Sequence, residues 1–349
     1  MPNASALFGG SNPSGSIQEI ILADTQSWSP MYKMRAHVYV IGGGGSGGQY
    51  TGGGTSQFFN IGASGGGAGG CALSELILDP AVTYSVVIGD GGAAATNTQN
   101  GNAGGNSSFS GTGITTMTAN GGGGGEDNRV NGALNLSGGA GGTATGGNLA
   151  NVTGGRGGNV SSSVTPTAYF YGAAGGGATG ILGTGYRGGD ITFSGNAVVA
   201  STVYTGGGGV GGNGGDWIVS VDGNYSVQGY GGTAIGASVS GGLPKFWYDR
   251  AQFSFTQTNT STVIPSAGAF QNDAGCADGC GTKGTSGACD RADHFGGSGG
   301  AGTANSGGQL DGSNVGLGGA GSGGCARTTS GNSSPGGHGV IIIKVLEAL

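Results

Sequence analysis

Apolar positions along the chain fall in short runs, separated by long stretches of glycine. Residues 37–41 (HVYVI), 72–78 (ALSELIL), 83–90 (TYSVVIGD) and 339–346 (GVIIIKVL) are dense in Val, Ile, Leu and Tyr. Several of them alternate apolar with polar side chains. Successive side chains of a strand point to opposite faces, so a period of two predicts half-buried β-strands here. The same reading places strands at 114–119, 196–204, 216–230 and 251–258. Nowhere does an apolar stripe at helical spacing persist for ten residues between recognisable caps. The pattern predicts an all-β chain.

Glycine fills the intervals: 42–54, 62–70, 89–105, 121–125, 138–148, 154–158, 172–189, 206–215, 296–324 and 336–339. The chain holds 91 glycines in 349 residues, against roughly 7% in ordinary proteins. No G-X-Y register is kept, which excludes collagen. Two conformations suit such tracts. One is polyglycine II, an extended three-fold helix with about 3.1 Å rise per residue, packed backbone to backbone. The other is a series of wide turns with positive φ. Both require dense hydrogen bonding, because glycine loses more conformational freedom on folding than any other residue. The predicted fold class is therefore all-β: a glycine-rich, β-sandwich-like domain with polyglycine II-type segments and long loops.

Charge narrows the choice between order and disorder. Only 8% of residues are charged, while 35% are hydrophobic and clustered. Disordered chains show the reverse. The net charge of −6, with 11 Lys plus Arg, leaves no basic footprint for nucleic acid. The longest apolar runs are too short to span a bilayer as a helix. The first residues lack the basic and apolar regions of a signal peptide, so synthesis in a cytosol is expected. The five cysteines, Cys71, Cys276, Cys280, Cys289 and Cys325, are odd in number and unevenly spaced. They describe no disulfide framework, and a local bridge within 276–289 and free thiols both remain open.

Composition divides the chain into an N-terminal attachment segment, 1–30, and a single glycine-rich β domain, 31–349. Within that domain, 31–125 and 296–349 form a frame around a variable insert, 126–295. The 36–41 and 339–346 strands are expected to lie together and close the domain. In the attachment segment, IQEIILA is an apolar run in a polar lead. Ile17, Ile20, Ile21 and Leu22 are its candidate contact residues for a partner.

The frame carries an ordered set of motifs. Trp28-Ser29-Pro30 precedes the 36–41 strand and its poly-Gly tract. GGGAGGC (65–71) leads into a strand, Asp79-Pro80 and Tyr84-Ser85-Val86-Val87-Ile88-Gly89-Asp90-Gly91-Gly92. GNAGGNSSF (101–109) and NGGGGG (120–125) follow, and PGGHGVIIIKVL (335–346) closes the chain. This order resembles the glycine-rich domain of bacteriophage tail fibres and receptor-binding tail-tip proteins. Pro80-Ala81 stands where that family usually has Pro-Gly, and Cys71 stands where it often has an aromatic. The resemblance covers roughly 28–125 and 330–349. It implies a virion protein made in the host cytoplasm and placed in a tail fibre or tail tip. Its implied partners are other virion proteins and a host surface protein or glycan. It further implies a homo-oligomer, with a trimer as the symmetry fibres share, and brings no catalytic residues and no cofactor. A purely structural virion role, in a head fibre or a capsid or tail decoration, is the alternative.

Site chemistry is sparse. A phosphate loop needs Lys-Ser/Thr after its last glycine, and a dinucleotide fingerprint needs a receiving helix; Lys283 is followed by Gly284. The Asp273–His294 stretch carries Asp and Cys at spacings outside the usual zinc patterns. Glycosidases pair two carboxylates across the scissile bond, whereas the four glutamates, Glu19, Glu75, Glu126 and Glu347, are scattered. No enzyme activity, metal or cofactor is expected. Aromatics concentrate in the insert, on glycine-flanked segments suited to protein or sugar contact. Tyr169, Tyr171, Tyr186, Trp247 and Tyr248 are the candidate receptor-binding residues, while Trp217, Ile218 and Val219 are expected in a core.

Overall fold

The computed structural model describes residues 18–51, 60–96, 98–130, 132–163, 169–172, 176, 185, 187–193, 202–204, 217–219, 225–227, 303–305, 319, 321–322, 325–327, 333 and 335–349. Strands are numbered in chain order, and the described residues contain no helix. At one end, here the base, two sheets pack face to face. The first runs β1 (Gln18–Leu22), β22 (Val340–Ala348), β3 (Met34–Ile41), β6 (Cys71–Leu78), β13 (Ala150–Val152). The second runs β12 (Ala144–Thr145), β9 (Met117–Ala119), β8 (Ser107–Ser110), β7 (Tyr84–Val87), β2 (Gln26–Trp28).

Alternation explains both faces of the first sheet. Even-numbered β3 residues Met34, Ala36, Val38 and Val40 point inward, with Ile341, Ile343 and Val345 of β22 beside them. They meet Tyr84, Val86, Phe109 and Met117 of the second sheet in one core. Tyr84 and Phe109 stack with ring centroids 5.2 Å apart. The Tyr84 hydroxyl accepts the Asp79 N–H at 3.0 Å, anchoring the turn that enters β7. On the outer face Glu19, Lys344, His37 and Glu75 lie opposite one another across four strands. Such opposite-charge neighbours stabilise a sheet modestly.

The expected closure is present. β22 inserts antiparallel between β1 and β3, in register from Val340↔Ile41 to Val345↔Ala36. Other strands are shorter than their apolar runs predict. Ile88 turns its N–H to the Thr25 hydroxyl, which ends β7, and only Met117–Ala119 pairs within 114–119. The 216–230 run is a hairpin of β18 (Trp217–Val219) and β19 (Tyr225–Val227). From 196–204 comes β17 (Thr202–Tyr204), and 251–258 lies outside the described residues.

Beyond the base the chain enters the glycine segments, and their hydrogen bonds decide between the two conformations. In 42–48 the donors rotate among neighbours with a period of three. Gly42, Gly45 and Gly48 donate to Gly70, Gly67 and Ser64, while Gly43 and Ser46 donate to Gly105 and Asn102. Gly44 donates to Gly337. Segment 64–70 repeats the rule: residues 64, 67 and 70 donate to 126, 123 and 120, 65 and 68 to 158 and 155, and 66 and 69 to 322 and 319. It also accepts from 42–48, from Gly139 and Gly142, and from Gly176, so neighbouring backbone surrounds it on all sides. This is polyglycine II packing. Among the described glycines only Gly113, Gly132, Gly146 and Gly319 have positive φ, which rules out a succession of wide turns.

Close approach sets the glycine requirement. A Cβ on Gly67 would sit 2.0 Å from the Ala140 carbonyl oxygen, and one on Gly45 2.0 Å from that of Gly123. The inner segments 42–48 and 64–70 are buried throughout and carry side chains only at Ser46, Ser64 and Ala68. Both serines replace backbone partners: the Ser46 hydroxyl accepts the Asn102 N–H, and that of Ser64 accepts the Glu126 N–H and donates to the Ser137 carbonyl. On the perimeter, exposed side chains recur every third residue, as in Asp90, Ala93, Thr96 and again in Ser137, Ala140, Thr143. One side of each outer three-fold helix faces water.

The far end of the lattice carries three small sheets. One runs β10 (Asp127–Val130), β5 (Asn60–Ala63), β15 (Tyr169–Gly172), β17. The second runs β11 (Leu134–Leu136), β14 (Val160–Ser162), β16 (Ile191–Phe193), β18, β19. The third is β20 (Thr303–Asn305), β21 (Cys325–Arg327), β4 (Gln49–Thr51).

The expected boundaries at residues 30 and 125 fall inside this unit. Residues 18–28 supply β1, which pairs with β22, and β2, which pairs with β7. Residues 126–162, expected within the insert, supply two lattice segments and the strands around them.

Lattice and perimeter are expected to answer substitution oppositely. Gly67→Ala forces a Cβ into backbone and should cost about 3 kcal/mol or more, as severe overpacking does. Ala140→Ser, on the exposed column, should stay within about 0.5 kcal/mol. Urea unfolding of both variants checks the pair.

Candidate functional site

The lattice separates two surfaces that can meet partners, and each is built from different residues. At the base, the expected attachment run is mostly structural. Leu22 is 4% exposed and lies in the core, Ile20 packs against that core, and Ile21 points outward at 40% exposure. Strand alternation is the reason: an apolar run on an edge strand buries every second side chain. Ile17 lies outside the described residues. Met31, Ile77, Leu149 and Leu349 are the most exposed large apolar side chains of this end, with Met31 at 89%. Ile77 is an outward position of β6, beside buried Leu78, while Met31 lies in a bend and Leu349 follows β22.

At the distal end, β5 sits between β10 and β15. Gly62 of β5 faces Leu134, Leu136 and Val160 of the adjoining sheet; a Cβ there would lie 2.5 Å from Leu134 Cδ2. Those three side chains are buried and form a small second core that fixes two of the distal sheets to each other. Around it, polar side chains finish the lattice segments. The Glu126 carboxylate accepts the Ser137 N–H at 2.7 Å, and Asn159 Oδ1 accepts the Gly138 N–H at 2.9 Å. Arg156 and Arg187 both reach Asp190, at 2.9 and 3.1 Å. The turn before segment 101–105 holds Thr98 at φ 59°, an uncommon conformation for a β-branched residue. Gln49 and Gln99 exchange both backbone hydrogen bonds beside it. Gln49 is fully buried, and its Oε1 accepts the Ser333 N–H.

Exposed residues described here include Gln99, Asn100, Asn128, Asn135 and Thr192, which are neutral hydrogen-bonding groups, together with the carboxylate-bearing Glu126.

Tyr169 and Tyr171 fall in β15, which runs parallel to both β5 and β17, so two of the candidate aromatics belong to the distal end. Trp217, Ile218 and Val219 form β18, parallel to β16. Tyr186, Trp247 and Tyr248 lie outside the described residues, as do Cys276, Cys280 and Cys289. The Cys71 thiol is buried in the base sheet. His37 Nε2 is 3.3 Å from Glu75 Oε2 and His338 Nδ1 3.3 Å from Asp90 Oδ1; both are structural pairings. Among the described residues no three His, Cys, Asp or Glu side chains are gathered to hold a metal.

One carboxyl of the distal end is displaced from its ordinary range. Burial pushes Asp127 up to about 6, against a partial lowering by a backbone hydrogen bond. A raised carboxyl favours the folded state when protonated, and that contribution is lost as pH rises through the folded value. The β10–β5 pair should therefore exchange its amides faster as pH goes from about 4 to above 6, after correction for intrinsic exchange. Asp127→Asn should remove this dependence and protect the pair at neutral pH.

The glycine-rich domain family matches residues 22–250, a span that takes in β2 to β19 and the inner lattice segments 42–48 and 64–70, while the closing strand β22 lies beyond it. No curated protein matches the chain. The match extends over more than half of the sequence, so the chain belongs to the glycine-rich domain family.

Proposed function

We propose that the chain is a virion protein of a tailed bacteriophage, a tail-fibre or tail-tip component that helps recognise the host surface. In this reading the base faces the particle and the distal end faces a host surface protein or glycan. The protein acts by binding, as part of a homo-oligomer, with no catalytic residues and no cofactor.

The observation that carries the reading is the division of the molecule. A closed sandwich holds both ends of the described chain, and a stiff backbone lattice separates it from a tip of short strands. Tyr169 and Tyr171 fall in β15, one of the strands of that tip. Adhesion needs that separation, since a binding surface must be held away from its anchorage without bending. The ordered frame motifs, from Trp28-Ser29-Pro30 to the closing 335–346 strand, support the same assignment by resemblance. Neutral amide and hydroxyl groups at the tip suit protein or sugar contact.

Gold-labelled antibody against the chain should mark tail tips or fibres, and the purified chain should compete with the phage for adsorption to host cells. Alanine at Tyr186, Trp247 or Tyr248 should weaken competition by roughly 30-fold where the residue is a contact centre. Regular labelling of the capsid, or no competition by folded protein, would replace this reading with the purely structural virion role.

A further inference from the structure

The distal sheets reveal a repeat that the glycine background conceals. Residues 153–163 read TGGRGGNVSSS, residues 184–194 read TGYRGGDITFS, and residues 210–220 read VGGNGGDWIVS. Thr, Gly, Arg, Gly-Gly and the final Ser recur at the same positions in the first two, and Asn/Asp, Val/Ile and Ser/Thr exchange conservatively. The strands these stretches contain, β14, β16 and β18, are consecutive parallel neighbours, with Val160↔Ile191 and Ile191↔Trp217 in register. The register therefore aligns the three stretches as their sequences do.

Backbone bonds join the first two copies along their length. Gly185, Gly188 and Ile191 donate to Thr153, Arg156 and Asn159, again at every third residue. The neighbouring sheet behaves likewise: β15 lies parallel to β5, and Gly176 donates to Gly66. One polar cluster crosses the boundary. Asp190 of the second copy accepts from Arg156 of the first at 2.9 Å through Oδ2, and from the Asn159 N–H at 2.8 Å through Oδ1. Arg156 is itself held to Asn159 Oδ1 at 2.8 Å.

We infer that residues 184–194 are a stacked second copy of 153–163, and that Asp190, clamped by Arg156 and the Asn159 N–H, is the positioning residue that locks the second copy onto the first. In a stacked array each copy is stabilised mainly by its neighbour. The second copy depends on this joint, while the base does not. The inference holds whether or not the tip binds a host, and its test reads no binding.

Hydrogen exchange on the full chain tests it. In Asp190→Asn, and separately in Arg156→Gln, the Gly188 and Ile191 amides should exchange about ten-fold faster or more, since charged, partly buried hydrogen bonds are lost. Val38 and Ile342 in the base should keep their protection. Glu347→Gln, which breaks the Arg35–Glu347 pair at the base, should leave Gly188 and Ile191 unchanged. Unaltered exchange at Gly188 and Ile191 in both joint variants would overturn the inference. Equal acceleration in base and insert, or failure of both variants to fold, would do the same by showing a single cooperative unit without a joint.

Discussion

Backbone meeting backbone without an intervening Cβ is the contact on which this structure depends. In an ordinary domain, side chains keep main chains far enough apart that only sheets and helices bring peptide groups together. Here the inner segments approach until a single methyl would overlap a carbonyl oxygen, as at Gly45, Gly67 and Gly122. That distance lets each peptide unit bond a different neighbour at each step of a three-fold helix. The requirement concerns space and not φ, since nearly all the described glycines keep negative φ. Ser46, Ala68 and Arg156 can therefore occupy lattice positions wherever a side chain has room.

Such a lattice has little apolar surface to bury, and the stability it lacks is supplied at its ends. The base sandwich concentrates Met34, Tyr84, Phe109, Met117 and Ile341 in one dry core. The small distal core of Leu134, Leu136 and Val160 secures the other end. Between them the segments run alternately outward and back, so the order of each depends on partners distant in sequence. The last strand, β22, lies between β1 and β3. The base therefore closes only when both ends of the described chain have met, a non-local arrangement associated with slow folding.

How much of this is legible in the sequence follows from where side chains do the organising. β3, β6 and β22 announce themselves because their alternation reflects a real core face. The lattice is visible as glycine, yet its outline is not, and residues 126–162 read as irregular. The missed signal is the period of three: X-G-G-X-G-G-X, as in SGGAGGT at 137–143 or TGGRGGN at 153–159, marks a helix with one face in water. GGGGSGG and SGGGAGG lack that column because they are interior. The three-residue distal strands are too short for any periodicity, and they exist because lattice segments deliver them side by side. At β1 the opposite holds: an apolar run that reads as an exposed patch places Leu22 in the core and Ile20 against it.

The same physics bears on what the fold is suited to do. Because the lattice is held by main-chain groups, its bonds do not depend on the identity of the outward residues, provided a glycine remains wherever another backbone passes. The perimeter columns and the tip can therefore vary widely in side chain while the spacing between base and tip is conserved by geometry. A repeat that stacks in register extends this freedom, since a further copy presents the same row of donors and acceptors as the one beneath it. Side-chain joints such as Arg156–Asp190 then become necessary for a specific reason. A backbone ladder of near-identical rungs has little to define its register, and the Arg156–Asp190 pair distinguishes the correct alignment of the two copies from a slip of three residues. For a protein proposed to present changeable contact residues at a fixed reach, that separation of scaffold from surface is the property that matters.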